Sequence, residues 1–367
     1  MKVIKLILIL LLVFALTACG IEPPEPNYDF PLPLINQETL PNVTETEPEP
    51  EPEPPFTFNI FEELPTELLH SKSAYLYNIT ADYLVYAKNE SERLPPASTL
   101  KIMTALITLE NIEDLNELIT VPDIAFEEFR TKNPNKEGIA RIGIERNQGN
   151  LTYLDALYAL MIASCCEISN VLAYNVGGGD ISAFVDMMNV KTAELGLTDT
   201  NFTNAHGLHE EGNYSSARDM LLIAKYGYEN YPMFVEITEQ ILHIMPPTAS
   251  RPNGFSMSNR CSLSREEEGN PYFFEGARAI KTGGLDYVYE MIDSRWVEFD
   301  GLTCLVSRFI YDDEVYILST FNAPWLYGQR PIIDEDGNEL RRLHYTYLDH
   351  KLIYQTMLDK LFSFSSS

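Results

Sequence analysis

The chain has 367 residues, with 26 Lys plus Arg against 54 Asp plus Glu and a formal charge of −28. That balance excludes a nucleic-acid binder, because nothing neutralises a run of phosphates. At 45% hydrophobic and 11% aromatic, it has apolar surface for a sizeable core and is not a wholly disordered chain.

Lys2 and Lys5 form a basic end, Leu6 to Ala15 is unbroken apolar sequence, and Leu16-Thr17-Ala18-Cys19 follows. A bilayer span takes about 20 apolar residues, so residues 1–18 read as a secretion signal. Leu-Thr-Ala-Cys in this position resembles the lipobox of bacterial lipoproteins. The resemblance implies a lipid on Cys19 and an extracytoplasmic chain anchored to the bacterial membrane.

Residues 20–55 hold eleven Pro and nine acids with no Lys or Arg. Proline stiffness and like-charge repulsion favour an extended spacer, so residues 19–57 are expected to be a stalk. Taking the two signal lysines and the nine stalk acids out of the −28 leaves −21 on residues 56–367. No internal repeat and no second Pro-rich linker divides the remainder, so residues 58–367 are expected to form one domain.

Within it, Lys72 to Lys88 alternates polar and apolar residues around Asn78 to Asp82 and reads as a β-hairpin. Pro95-Pro96 breaks the chain. From Ser98, Leu100, Met103, Leu106 and Ile107 recur at helical spacing on a largely apolar segment, which predicts a buried helix. Leu151 to Tyr174 is helical in pattern, capped by Thr152, interrupted at Ala163 to Cys166 and stopped by Gly177-Gly178-Gly179. Ile181 to Leu195 and Ser216 to Tyr226 read as further helices.

After residue 275, Ala277 to Thr282, Leu302 to Phe309 and Val315 to Phe321 read as strands, and Leu340 to Leu361 as a closing amphipathic helix. Strands at both ends with helices between predict an α+β fold. Its antiparallel sheet would take its edges from the two termini and be covered by an α lobe.

Ser98-Thr99-Leu100-Lys101 opens the buried helix. At i and i+3 the hydroxyl and the amine share one face of the first turn. The helix N-terminus disfavours a cation and apolar surroundings strip water from the amine, which makes it a usable base for a serine nucleophile. Lys281-Thr282-Gly283 ends a predicted strand, where Lys and Thr offer a cation and a hydroxyl to a carboxylate and Gly admits close approach.

Four segments, Pro95 to Ala105, Ala205-His206-Gly207-Leu208, Tyr214 to Met220 and Ile280-Lys281-Thr282-Gly283, together resemble the D-alanyl-D-alanine carboxypeptidases of the low-molecular-mass penicillin-binding proteins. The similarity runs from about Ser71 to Pro324. It implies the penicillin-binding, transpeptidase-like fold shared with serine β-lactamases. It also implies hydrolysis of the terminal D-Ala from a peptidoglycan stem pentapeptide through an acyl-enzyme in cell-wall remodelling, with β-lactams as covalent inhibitors.

By that resemblance Ser98 is the nucleophile and Lys101 its general base. Lys281 and Thr282 hold the substrate carboxylate beside Gly283, and the backbone N–H groups of Ser98 and Gly284 form the oxyanion hole. No cofactor is implied. The six His show no metal-ligand spacing, and His206 is expected to support a loop.

The chain departs from the family at its Ser-x-Asn motif. Leu160 to Glu167 aligns without gaps, placing Ser164 at the proton-relay position and Cys166 where the family has Asn. A thiol hydrogen-bonds weakly compared with an amide, which puts rate and substrate orientation in question and opens an alternative: a catalytically impaired relative that binds penicillin or peptidoglycan. Sliding to Ser169-Asn170 shifts the pair by about 1.4 helical turns, off the site.

Two further departures are expected. Leu285 to Gly301 would be a long loop bordering the site, and the family's C-terminal β-domain and membrane-binding tail would be absent, with the Cys19 lipid in place of the tail. A class A β-lactamase would need Glu-x-x-Leu-Asn after the second motif; the nearest match, Glu113-Asp114-Leu115-Asn116, lies before it and is one residue short.

Overall fold

A computed structural model of the chain describes residues 58–131, 140–249, 251–259, 261–267, 269–292, 295–324, 332–333, 339–340 and 344–365. The signal segment, Cys19 and the stalk lie outside the described residues. Those described belong to one compact unit that begins at Pro55.

The first hairpin forms as its alternation predicts, with β1 at Ser73–Asn78 and β2 at Tyr83–Lys88. Its turn is fastened by Asn78, whose Oδ1 accepts from the N–H groups of Thr80 (3.0 Å) and Ala81 (2.9 Å), an Asx-type closure. The helical lobe follows: α1 (Lys101–Asn111), α2 (Ile124–Thr131), α3 (Tyr153–Ile162), α4 (Cys166–Val176), α5 (Ile181–Glu194), α6 (Ala217–Asn230) and α7 (Pro232–Glu239). Thr152 caps α3 in a reciprocal capping box with Asp155, and Ser216 caps α6 through the N–H of Asp219 at 3.1 Å, which satisfies donors otherwise left open.

A small hairpin, β3 (Leu242–Met245) with β4 (Phe255–Ser258), precedes the long strands β5 (Ala277–Ile292), β6 (Arg295–Tyr311) and β7 (Glu314–Pro324). Asp312 and Asp313 sit at φ 51° and 63°, the left-handed pair a two-residue β6–β7 turn requires. The short strands β8 (Ile332–Ile333) and β9 (Glu339–Leu340) pair with each other, and α8 (Tyr345–Ser365) closes the chain.

The main sheet is antiparallel in the order β2-β1-β7-β6-β5. The expected α+β layout holds, but its edges differ from expectation. The last long strand, β7, is central because β1 pairs with it from Ser73↔Phe321 to Asn78↔Tyr316, so β2 and β5 are the edges. The expected loop at Leu285 to Gly301 is also replaced: its backbone extends β5 and β6, paired from Leu285↔Leu302 to Ile292↔Arg295.

Side chains alternate between two cores, as the strand period of two requires. Tyr75, Cys304, Val306 and Ile317 face the helical lobe, while Leu76, Leu305, Leu318 and Tyr316 face α8 and the segment before β1. Burial on both faces fixes the register, since a one-residue slip would exchange the two sets. Lys101 to Thr108 of α1 are all buried, so the helix carrying the Ser-x-x-Lys motif runs through the interior of the lobe.

Candidate active site

Ser98 lies in a 3-10 turn, Ala97–Leu100, that leads into α1. Ala97, just before it, has φ 48°, a left-handed conformation that costs a residue with a side chain roughly 1 kcal/mol or more. Two neighbours hold this turn in place. At Gly207 (φ +80°) a Cβ would stand 2.1 Å from the Ala97 carbonyl oxygen, and at Gly283 a Cβ would stand 3.1 Å from the backbone nitrogens of Ser98 and Thr99. Both glycines therefore serve close approach of backbone to backbone. Gly283 is the third residue of the Lys-Thr-Gly motif, so the edge strand β5 runs directly beside the Ser98 turn.

Lys101 is fully buried. Its Nζ lies 2.9 Å from Ser98 Oγ and 3.6 Å from Cys166 Sγ, and it donates to the backbone carbonyl of His206. An ammonium has three donors and here meets three partners. In the neutral amine the His206 carbonyl and the Cys166 sulfur can take the two remaining N–H groups, which leaves the lone pair facing the Ser98 hydroxyl.

Ser164 stands at the break between α3 and α4. Helix α3 ends at Ile162 with Ala163 as its C-cap, Ser164 turns the chain at φ 57°, and the Cys165 N–H returns to the Ala159 carbonyl at 3.3 Å. This places the Ser164 hydroxyl 2.9 Å from Lys281 Nζ, which also donates to the Thr282 carbonyl at 2.7 Å. A register shift in β5 falls between Ala279 and Lys281, and such bulges re-aim side chains. Burial holds the Lys281 ammonium well below the usual lysine range, and the nearby Lys101 pushes the same way.

Five expected side chains thus come together in two linked sets, Ser98–Lys101–Cys166 and Ser164–Lys281, joined where Cys166 Sγ lies 3.9 Å from the Ser164 carbonyl. Thr282 is half-buried and Gly284 exposed beside them.

A cavity of about 640 Å³ opens along Ser164, Lys281 and Thr282, bordered by Arg141, Arg251 and Phe255. Cys165, Cys166, Cys261 and Cys304 are all free thiols. Burial pushes the Cys165 thiol up, and its Sγ lies 3.0 Å from Glu167 Oε2.

Several contributors carry no sequence motif of their own type. The His206 carbonyl that holds Lys101 is a backbone group, which any residue would supply. The His206 ring is buried: Leu208 N–H donates to Nδ1 (3.1 Å), which places the proton of the neutral ring on Nε2, 3.1 Å from Glu128 Oε2. Burial pushes its pKa down against the pull of Glu128, and the ring supports the loop. In the Tyr214 to Met220 segment, Ser216 is a helix cap and Asp219 accepts from Asp199 N–H and Thr200 Oγ1, each at 2.9 Å; both hold structure.

A helical lobe against a five-stranded antiparallel sheet, with a Ser/Lys pair at the start of a buried helix and a Lys-Thr-Gly edge strand beside it, defines the penicillin-binding class of serine acyl-transfer folds. The chain belongs to the D-alanyl-D-alanine carboxypeptidase family of peptidases, which matches residues 61–266.

It is 34% identical over 222 residues to the D-alanyl-D-alanine carboxypeptidase DacF of Bacillus subtilis, covering 59% of this chain and 52% of that one. It is 26% identical over 230 residues to the D-alanyl-D-alanine carboxypeptidase DacD of Escherichia coli, covering 62% and 55%. The chain thus spans about half the length of the curated relatives it matches. Its fold is similar to the crystal structure of a Streptomyces DD-transpeptidase, with a TM-score of 0.58 at 19% identity over 79% of this chain and 98% of that one.

Proposed function

We propose that the chain is a serine D,D-carboxypeptidase that removes the terminal D-Ala from peptidoglycan stem pentapeptides. The observation that carries this reading is the 2.9 Å approach of Lys101 Nζ to Ser98 Oγ, in a chain of this family. In this reading Lys101 takes the Ser98 proton as Oγ attacks the carbonyl between the two D-Ala residues. The C–N bond breaks, the departing amine is protonated by way of Lys101 and Ser164, and water hydrolyses the resulting ester. Lys281 and Thr282 receive the terminal carboxylate, and the Ser98 and Gly284 N–H groups stabilise the oxyanion. β-Lactams acylate the same serine.

A lipid on Cys19 and the acidic stalk would hold the domain outside the cytoplasm at the membrane surface; the Leu-Thr-Ala-Cys segment supports this part. Metabolic labelling with a fatty-acid analogue tests it: label on the full chain, lost in Cys19→Ala, is expected.

For the activity, mass spectrometry of a pentapeptide incubated with the protein should show a free D-Ala and a tetrapeptide, and Ser98→Ala should abolish both. No release by the unaltered protein, or release by Ser98→Ala, refutes the reading. The Cys166 sulfur, 3.6 Å from Lys101, favours a second reading, that of a penicillin-acylated relative with little turnover. Labelling of Ser98 by penicillin without D-Ala release would select it.

A further inference from the structure

The His206 carbonyl is the strongest acceptor that Lys101 meets, because Ser98 offers a hydroxyl and Cys166 a sulfur. The position of this one oxygen therefore bears on where the amine stands relative to Ser98 Oγ. Every residue at 206 would supply a carbonyl, so what matters is the set of contacts that fixes its direction.

His206 is held through both its main chain and its ring. Its N–H donates to Asn204 Oδ1 at 3.2 Å, and the Gly207 N–H donates to the same oxygen at 2.7 Å. The ring is 1% exposed. Nδ1 accepts the Leu208 N–H at 3.1 Å, so the neutral ring carries its proton on Nε2 and donates it to Glu128 Oε2 at 3.1 Å.

Asn204 and Leu208 belong to the same loop and move with it. Anchors from outside the loop are of two kinds. Thr104 Oγ1 of α1 donates to the Ala205 carbonyl at 2.7 Å, and Gly207 is pressed against Ala97, so the main chain is restrained on either side of residue 206. Glu128 of α2 restrains the ring, and with it the rotation of the residue between those two points.

The same carboxylate reaches further. Glu128 Oε2 accepts from Asn170 Nδ2 of α4 at 3.3 Å, and α4 is the helix that begins with Cys166. Phe129, the next residue of α2, meets the His206 ring edge-on with centroids 5.1 Å apart. Glu128 thus joins α2, the His206 loop and the helix of Cys166, the two last of which each give Lys101 a partner.

We propose that Glu128 is a positioning residue: through the His206 ring it fixes the carbonyl that holds Lys101, and so sets the approach of the amine to Ser98 Oγ. The proposal rests on the reading of Lys101 as the base for Ser98 and adds the residue that aims it. A carboxylate that merely tied α2 to the lobe would affect stability and leave the reaction at Ser98 alone.

Stopped-flow acylation by a labelled penicillin, over a range of concentrations, separates the binding that precedes reaction from the acylation rate constant. Glu128→Ala should lower the rate constant about tenfold, which a small displacement of a reacting group suffices to cause, and leave the preceding binding unchanged. Glu128→Gln keeps an oxygen for the His206 N–H and should recover most of that loss. His206→Phe keeps a ring against Phe129 but has no N–H for Glu128, and should also cost about tenfold. Combined with it, Glu128→Ala should cost nothing further, because both changes break one link. D-Ala release from a pentapeptide should show the same split, kcat falling with KM unchanged.

Rates are compared among variants whose near-ultraviolet circular dichroism matches that of the unaltered protein, with His206→Ala taking the place of His206→Phe where the latter does not fold. An unaltered rate constant in Glu128→Ala, with or without a lower urea midpoint, overturns the proposal. So does a loss in binding rather than in rate, a Glu128→Gln no faster than Glu128→Ala, or losses that multiply in the double variant. The expected penicillin pattern without D-Ala release keeps the positioning role and sinks the carboxypeptidase reading. D-Ala release that Glu128→Ala leaves at full rate does the reverse, and an unaltered protein that neither is acylated nor releases D-Ala sinks both.

Discussion

Gly207 and Ala97 are packed backbone to backbone: a Cβ on Gly207 would stand 2.1 Å from the Ala97 carbonyl oxygen and 3.1 Å from the nitrogen of Ser98. Both residues have positive φ, +80° and 48°, so the Ser98 turn is held by two left-handed residues pressed together. Gly207→Ala adds a left-handed penalty of roughly 1–2 kcal/mol and a steric displacement of roughly 1–3 kcal/mol. The expected outcome is a lower urea midpoint, together with at least about a hundredfold slower acylation of Ser98 by labelled penicillin as the turn moves away from Lys101. Acylation at the unaltered rate would mean that the two segments separate without consequence for Ser98.

Cys166 touches Lys101 rather than Ser98. Its sulfur is one of three partners around Lys101 Nζ, and sulfur is a weak acceptor. An amide at this position offers a stronger acceptor to the amine and a donor to the substrate. Cys166→Asn is expected to raise kcat/KM for D-Ala release about tenfold, a gain of roughly 1.4 kcal/mol in transition-state stabilisation, and Cys166→Ala to lower it several-fold. Steady-state kinetics on one pentapeptide decides the matter. A loss in Cys166→Asn would show that the site is built around the thiol.

The closing helix is tied to the start of the sheet by one carboxylate. Asp349, with its side chain 1% exposed, accepts from the N–H groups of His70 at 3.1 Å and Ser71 at 2.6 Å and from the Ser71 hydroxyl. Asp349→Ala strands these donors in the interior, at about 1–3 kcal/mol each when unsatisfied, and a total loss of about 3 kcal/mol is expected from urea unfolding. Asp349→Asn keeps an acceptor and should lose less. An unchanged midpoint in Asp349→Ala would mean that water replaces the carboxylate fully.

Of the candidate site's side chains, Ser98, Lys101 and Lys281 were legible from their place on patterned elements, and Ser164 and Cys166 from the alignment with the family's Ser-x-Asn motif. Ser98 and Lys101 open an apolar helix, Ser164 and Cys166 sit at a small-residue break between α3 and α4, and Lys281 ends an apolar run. Sequence missed the contributors whose chemistry is not in the residue type: the His206 carbonyl and the space at Gly207.

Among the elements, α2, α7 and the β3–β4 hairpin were too short to show periodicity, α2 and α7 being only eight residues each. The β5–β6 extension is expected to be a loop only because, by the family resemblance, Leu285 to Gly301 stands where the family has a short turn. Long-range pairing decided it, as it did the central place of β7, which local sequence does not encode.

Lys281 predicts a proton count. Burial and Lys101 hold its pKa well below the ordinary lysine value in the free protein. A carboxylate arriving at Lys281 and Thr282 acts in the opposite sense, since an opposite charge favours the ammonium. Between the depressed pKa of the free site and the higher one of the complex, the complex holds more protons than its separated components. Binding in that interval therefore takes up protons, and affinity falls as pH rises, by at most about tenfold per pH unit for one group. Calorimetry of Ser98→Ala with a pentapeptide, in two buffers of different ionisation enthalpy, should give an apparent enthalpy that changes with the buffer in the sense of uptake. In Ser98→Ala combined with Lys281→Met, binding should weaken and the buffer dependence should disappear. Proton release on binding, or uptake that persists without Lys281, would remove this lysine from the carboxylate site.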